Sequence, residues 1–238
     1  MDHVAITHVW VRILNKTCFV IGADSSVGRG LVEVYAKAGY QVIGTSRREP
    51  ALPDKNIFSI DLENPGSLRT LAKKAGAIDV LILCIGMLPG KDLRHYTDTE
   101  LSEVFHANAI IAMKVVRDLL DYMRVGGVVL FMGSIAGSAG SYDDAYAASK
   151  AALVGLTKSL AKKSSNGVRF NCVAPGLIEG STMFGGFTED EIKRHEQQTP
   201  VGKLLMLDDL VRICFDITQP HWSSLNGQVI DINGGRYV

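Results

Sequence analysis

The chain has 238 residues, 47% hydrophobic and 21% charged, which is enough apolar material for a sizeable core and too much for intrinsic disorder. Lys plus Arg and Asp plus Glu are 25 each, a net charge of zero, so no basic field points to nucleic acid or to an anionic membrane. No apolar run approaches the ~20 residues of a bilayer span, and residues 1–16 carry charges through their apolar part, so the cytosol is the expected location.

Strands and helices alternate along the chain. "TCFVIG" (17–22) predicts a first strand, and the helical stretch after it stops at Gly39. "QVIGTS" (41–46) and "NIFSID" (56–61) predict two more strands, followed by a helix stopped at Gly76. "DVLILCIG" (79–86) has no polar alternation, the mark of a strand covered on both faces. Residues 98–124 are strongly helical, as one helix or two. "GVVLFMGS" (127–134) is a fifth strand, 144–165 a long helix, "VRFNCVAPG" (168–176) a sixth strand and "QVIDING" (228–234) a seventh. This rhythm predicts an α/β fold: a single Rossmann-like, doubly wound, parallel seven-stranded sheet with helices on both faces. One domain is expected over 1–238, with residues 1–14 as an added strand or arm. Residues 177–200, glycine-rich and then helical, are expected to form a lid over a site.

Cys18, Cys84, Cys172 and Cys214 form no CxxC, and three of them lie in strand-like runs, so they read as buried free thiols. Neither they nor the 6 histidines have metal-ligand spacing, and no metal is expected.

Between the first strand and first helix lies "GADSSVGRG". Gly22, Gly28 and Gly30 surround the small residues Ala23, Ser25 and Ser26, with Val27 opening the helix. There a backbone can approach a pyrophosphate at a helix N-terminus. The second strand ends "TSRREP", with Ser46, Arg47 and Arg48 where a carboxylate would receive the ribose hydroxyl of NAD(H). An arginine there holds a 2′-phosphate instead, which favours NADP(H).

"YAASK" places Tyr146 and Lys150 at i and i+4, on one helix face. A free tyrosine titrates at about 10, and a neighbouring ammonium favours the phenolate. A phenol so tuned can pass a proton to or from an alcohol or carbonyl oxygen. Ser134 ends the fifth strand, where ligands sit in open α/β sheets, and its hydroxyl can hold the same oxygen.

Taken with "ID" (60–61), "NCVAPGLI" (171–178) and "NGG" (233–235), these motifs resemble the short-chain dehydrogenase/reductase family, single-domain type, over residues 15–235. The resemblance implies Tyr146 as acid/base, Lys150 tuning it and binding the nicotinamide ribose, Ser134 orienting the substrate oxygen, and Asn108 supporting a proton relay to Lys150. It also implies Asp61 and Leu62 beside the adenine, and Pro175, Gly176 and Ile178 along the nicotinamide. Gly86 is the remnant of the family's NNAG, and Thr182 the displaced counterpart of a threonine at the phosphates. The chain departs from the pattern in two places: Ile21 and Ser26 replace a threonine and a glycine of the turn, and "LCIG" (83–86) replaces NNAG. A homodimer or homotetramer is implied, built on 98–124 and 144–165, where Ala147, Ala151 and Gly155 allow close helix approach.

The reading is an oxidoreductase interconverting a small carbonyl compound and its alcohol. The alternative is a weakly catalytic dinucleotide-binding regulator or scaffold on the same fold. Met87, Leu88, Pro89, Leu177, Met183, Phe184 and Phe187 are expected as an apolar substrate rim.

Overall fold

The computed structural model describes residues 16–47 and 56–237. The expected arm at 1–14 and Arg48 lie outside the described residues.

Seven parallel strands form one sheet: β1 (Thr17–Ile21), β2 (Gln41–Ser46), β3 (Ile57–Ser59), β4 (Ile78–Leu83), β5 (Met123–Met132), β6 (Arg169–Pro175) and, last in the chain, β9 (Val229–Ile232). A two-stranded ribbon, β7 (Ile178–Glu179) with β8 (Leu205–Met206), stands apart. The sheet order is β3-β2-β1-β4-β5-β6-β9. The chain therefore winds outward from β1 to β3, then crosses back to lay β4 on the other side of β1. The carboxyl ends of β1 and β4 flank that reversal, the crevice where open α/β sheets receive ligands.

Side chains of successive strand residues point to opposite faces. Phe19 and Ile21 enter one core with Leu68 of α2 (Pro65–Ala75), Val115 of α4 (Ile111–Leu119) and Leu153 of α6 (Asp144–Lys163). Cys18 and Val20 enter the other with Leu31 and Tyr35 of α1 (Ser26–Lys37) and Leu210 and Cys214 of α8 (Leu207–Ile217). This is the expected doubly wound fold.

Several boundaries differ from the sequence reading. β4 ends at Leu83, because Cys84, Ile85 and Gly86 leave the sheet to line a cleft. β5 begins at Met123, so the helical reading to 124 overran. The preceding helix is one rod: α3 (Asp98–Phe105) passes through a π-helical turn, His106–Ile110, into α4. Single π turns inside helices tend to occur at functional sites. Two helices were not foreseen, α5 (Ala136–Ala139) and α8. α8 crosses α1 at Gly30, where an added Cβ would lie 2.7 Å from Val211. The 177–200 segment contains β7, a short turn at 184–186 and α7 (Glu189–Gln197), which Thr188 and Glu191 cap reciprocally.

Candidate active site

A cleft of about 1130 Å³ runs along the carboxyl ends of the strands. Its first wall is the turn after β1. The N–H groups of Gly22 and Ala23 both donate to the Thr45 carbonyl, at 3.1 and 2.8 Å, and Ser25 caps α1 by accepting from the Gly28 N–H at 3.0 Å. Gly22 has φ 85°, and a Cβ there would lie 2.8 Å from the Cys84 carbonyl oxygen. A Cβ on Gly28 would lie 2.2 Å from the Gly22 carbonyl oxygen. Gly22, Ser25, Ser26 and Val27 face the cleft as expected. Gly28 lies behind the turn, off the cleft wall, and makes the turn possible rather than touching its contents. No acid occupies the first turn of α1, and the N–H groups of Ser26 and Val27 find no acceptor among the described residues.

Arg47 follows β2, exposed, on the same wall as Asp61, Leu62 and the buried Ser46. The sequence reading missed Asp24, which adds a carboxylate to this end of the cleft. Glu63 is bridged by His106 and Lys114, and these partners hold its carboxyl below the usual range.

The centre of the cleft is built by β5, β6 and α6. Asp143, wholly buried, accepts from the Tyr146 N–H at 2.9 Å and so starts α6 in register. The same carboxylate accepts from the N–H groups of Gly90 and Lys91 and from the Tyr96 hydroxyl, pinning the loop after β4 to α6. Tyr146 and Lys150 are both buried and both reach the cleft. Ser134 lines the same cleft as the Tyr146 phenol, and its Oγ accepts from the Ala136 N–H at 3.1 Å.

The electrostatics differ from the expectation that Lys150 lowers the phenol's pKa. Burial holds Tyr146 above its ordinary value, with the nearby Ser134 hydroxyl acting against the shift. Burial also lowers Lys150 from 10.5 to about 8. Lys150 Nζ donates to the Met132 carbonyl at 2.9 Å and lies 5.9 Å from the centroid of the Tyr146 ring. With Lys150 Nζ directed at the Met132 carbonyl, burial prevails and the phenol's pKa stays raised.

Asn108 sits in the π-helical turn, fully buried and off the cleft wall. Its Oδ1 accepts from the Met87 N–H at 2.7 Å, and its Nδ2 donates to the Met87 carbonyl at 3.0 Å and to Ser149 Oγ at 2.8 Å. Its side chain braces the loop after β4. A Cβ on Gly86 would lie 2.8 Å from Asn108 Oδ1 and 3.1 Å from Lys150 Nζ, so glycine is what lets these groups converge.

Pro175, Gly176 and Ile178 line the cleft after β6, and Ser181, Thr182, Met183 and Phe187 of the segment that follows line it too. Thr182 donates its N–H to Ser26 Oγ at 2.9 Å, and the two hydroxyls are 3.2 Å apart. The serine that replaces a glycine in the turn is therefore a tether for the covering segment. Of the expected rim, Met87, Leu88, Leu177, Met183 and Phe187 line the cleft, whereas Pro89 and Phe184 do not. His195, Arg236 and Tyr237 complete the wall, and no sequence signal had singled them out. Asp143 was legible in hindsight, an acid three residues before Tyr146 in the N-cap position.

A family model described as enoyl-(acyl carrier protein) reductase matches residues 22–236. The chain is 27% identical over 244 residues to the 3-oxoacyl-acyl-carrier-protein reductase FabG of Vibrio cholerae, covering 96% of this chain and 100% of that protein. The FabG of Escherichia coli K12 is 28% identical over 240 residues, with 94% and 98% covered. A solved short-chain dehydrogenase/reductase from Brucella melitensis superposes with a TM-score of 0.84 at 23% identity, over 94% of this chain and 97% of that one. The aldohexose dehydrogenase of Thermoplasma acidophilum gives 0.84 at 22%, over 93% and 94%.

Proposed function

Because the chain belongs to the short-chain dehydrogenase/reductase family, NAD(P)-dependent oxidoreductases of CH–OH and C=O groups, we propose that it reduces a ketone or aldehyde with NADP(H), Tyr146 supplying the proton. The observation that carries this reading is the meeting of Ser134, Tyr146 and Lys150 on one wall of a cleft that begins at a phosphate-type turn.

The residues present fit a dinucleotide. A Cβ at Gly22 or Gly28 would fill the turn, and the first-turn N–H groups of Ser26 and Val27 are unspent donors at a helix N-terminus. Gly22, Ser25, Ser26 and Val27 would hold the pyrophosphate, with Thr182 brought beside them by Ser26. Asp61 and Leu62 would border the adenine, Gly86 the adenosine side, and Pro175, Gly176 and Ile178 the nicotinamide. Arg47 would take the 2′-phosphate, a charge-assisted contact that outweighs repulsion from Asp24.

When bound, the reduced nicotinamide supplies a hydride to the carbonyl carbon. Ser134 Oγ–H orients the carbonyl oxygen. Tyr146 Oη–H then gives its proton to that oxygen as the alcohol forms, and the phenol regains a proton from solvent. A phenol held above its ordinary pKa stays protonated at neutral pH, the state needed to reduce. Lys150 Nζ, fixed by the Met132 carbonyl, places a cation beside the site. Asp143 and Asn108 act through these groups as positioning residues.

The cytosol, one domain and a lid at 177–200 belong to the same proposal. So does a homo-oligomer, favoured by Phe105, Ile110 and Met113 exposed along α3–α4 and by Gly155, with open space around it, on α6. The test is the oxidation of NADPH with a panel of ketones and aldehydes. Carbonyl-dependent loss of the reduced cofactor's absorbance supports the reading; tight NADPH binding with no turnover on any carbonyl supports a binding protein instead.

A further inference from the structure

Arg236 follows the last glycine of "NGG", on a turn with little freedom. Gly234 and Gly235 have φ 63° and 82°, and a Cβ on Gly234 would lie 2.6 Å from Thr199. The Gly235 N–H donates to Asn233 Oδ1, Asn233 Nδ2 donates to the Tyr237 carbonyl, and the Val201 N–H donates to the Gly234 carbonyl. The guanidinium is thus delivered to a fixed place on the cleft wall, where the covering segment meets the C-terminal turn.

Its partners there are neutral. Nη1 donates to His195 Nδ1, Nη2 donates to Gln198 Oε1 at 2.6 Å, and the guanidinium carbon lies 5.3 Å from the Tyr237 ring centroid. Among the described residues, no carboxylate pairs with it. Glu191, the acid felt by His195, is occupied at 2.8 Å by both the N–H and the hydroxyl of Thr188. The full positive charge and three of a guanidinium's five N–H groups are left over in a cleft whose lining includes Met87, Leu177, Met183 and Phe187.

His195 adds to this. With Nδ1 accepting from Arg236, its proton resides on Nε2, a second donor held edge-on to Phe187. Burial and the adjacent Arg236 charge keep the imidazole neutral, so it leaves the guanidinium's charge in place without competing for an anion.

We infer that the substrate is an oxo acid: a carbonyl compound whose carboxylate is received by the Arg236 guanidinium while its apolar chain lies along the cleft to Tyr146. A planar fork of N–H donors beside apolar walls matches a carboxylate in shape and charge. An aliphatic body suits the methionine and phenylalanine side chains between. The inference deepens the proposed carbonyl reduction and rests on it. The competing role for Arg236 is a staple joining the C-terminal turn to α7; a staple supports folding but does not distinguish a charged substrate from an uncharged one.

The experiment compares straight-chain oxo acids with their own methyl esters, with NADPH, in wild type, Arg236→Gln and Arg236→Lys. The readout is the ratio of kcat/KM for acid over ester, which general damage to the fold does not move. Wild type is expected to favour the acid roughly ten- to a hundredfold, as a charged hydrogen bond allows. Arg236→Gln should remove that preference through KM, and Arg236→Lys should restore part of it. A wild-type ratio near one, or a ratio unchanged in Arg236→Gln, overturns the inference. If no oxo compound is reduced by wild type, the proposed function fails, and the inference is then decided by NMR titration of hexanoate against hexanamide. Tighter hexanoate binding that Arg236→Gln abolishes supports it; equal binding of the two overturns it.

Discussion

Asn108 grips both backbone groups of Met87, accepting its N–H at 2.7 Å and donating to its carbonyl at 3.0 Å, with nothing of the residue exposed. The remaining Nδ2 proton goes to Ser149, whose hydroxyl donates to the Tyr146 carbonyl at 2.8 Å. One amide therefore connects the loop after β4 to the backbone of α6. Asn108→Leu keeps the branched shape and leaves the N–H and carbonyl of Met87 without their partner, so it should lower the unfolding free energy by about 2–4 kcal/mol. Urea denaturation reads this. Met87→Leu, which keeps the clamped backbone, should cost far less; equal losses would mean that packing rather than the clamp holds the loop.

The charge on Lys150 sets an alkaline limit. Its amine is lowered from 10.5 to about 8 by burial, whereas burial raises the Tyr146 phenol. As pH rises through about 8 the cation beside the site is lost while the phenol keeps its proton. In the reducing direction, kcat/KM for the cofactor, which reports the free enzyme, should fall with a midpoint near pH 8. In Lys150→Met that limb should vanish along with most of the activity. A flat profile to pH 10 would show that the ammonium charge is irrelevant.

Arg47 is the cofactor-selecting residue of this account. An exposed guanidinium–phosphate contact supports roughly a ten- to hundredfold preference for NADPH over NADH. Arg47→Asp should erase or invert that preference, because it repels the phosphate and offers an acceptor to a ribose hydroxyl. The dissociation constants of both cofactors for both proteins decide it. Equal affinities in wild type would assign Arg47 to solvated surface.

Assembly is predicted from the exposed apolar side chains along α3–α4 and from the open space at Gly155 on α6. Phe105, Ile110 and Met113 are each about two-fifths exposed, more than a lone chain usually leaves along one helix. Sedimentation at micromolar concentration should give a dimer or tetramer, and Met113→Glu should shift it toward monomer. A monomeric wild type would refute the homo-oligomer.

Much of the fold was legible because its signals are local. Glycines stopped helices at Gly39 and Gly76, both at φ 84°, and unbroken apolar runs marked strands covered on both faces. The amphipathic pattern of α8, with Leu210, Val211, Cys214 and Ile217 buried, was equally present and passed over. The π-helical turn had no signature in the sequence, and Asn108 within it makes its contacts to Met87 only in the folded chain. In the site, Tyr146, Lys150 and Ser134 were readable from spacing and strand ends. Arg236 was not, because its partner His195 is 41 residues away and only the folded chain joins them. The direction of the phenol's shift was hidden for the same reason: burial is a property of the whole fold, while the i, i+4 ammonium was visible in the sequence.

The account stands or falls on the Tyr146 hydroxyl. Tyr146→Phe keeps the ring in its buried place and removes only the hydroxyl beside Ser134 in the cleft. The decisive measurement is kcat for carbonyl reduction by this variant beside wild type, with the NADPH dissociation constant determined in parallel. The account predicts a loss of roughly 10²-fold or more in kcat with cofactor affinity retained. Turnover within twofold of wild type would contradict it and assign the proton to another group.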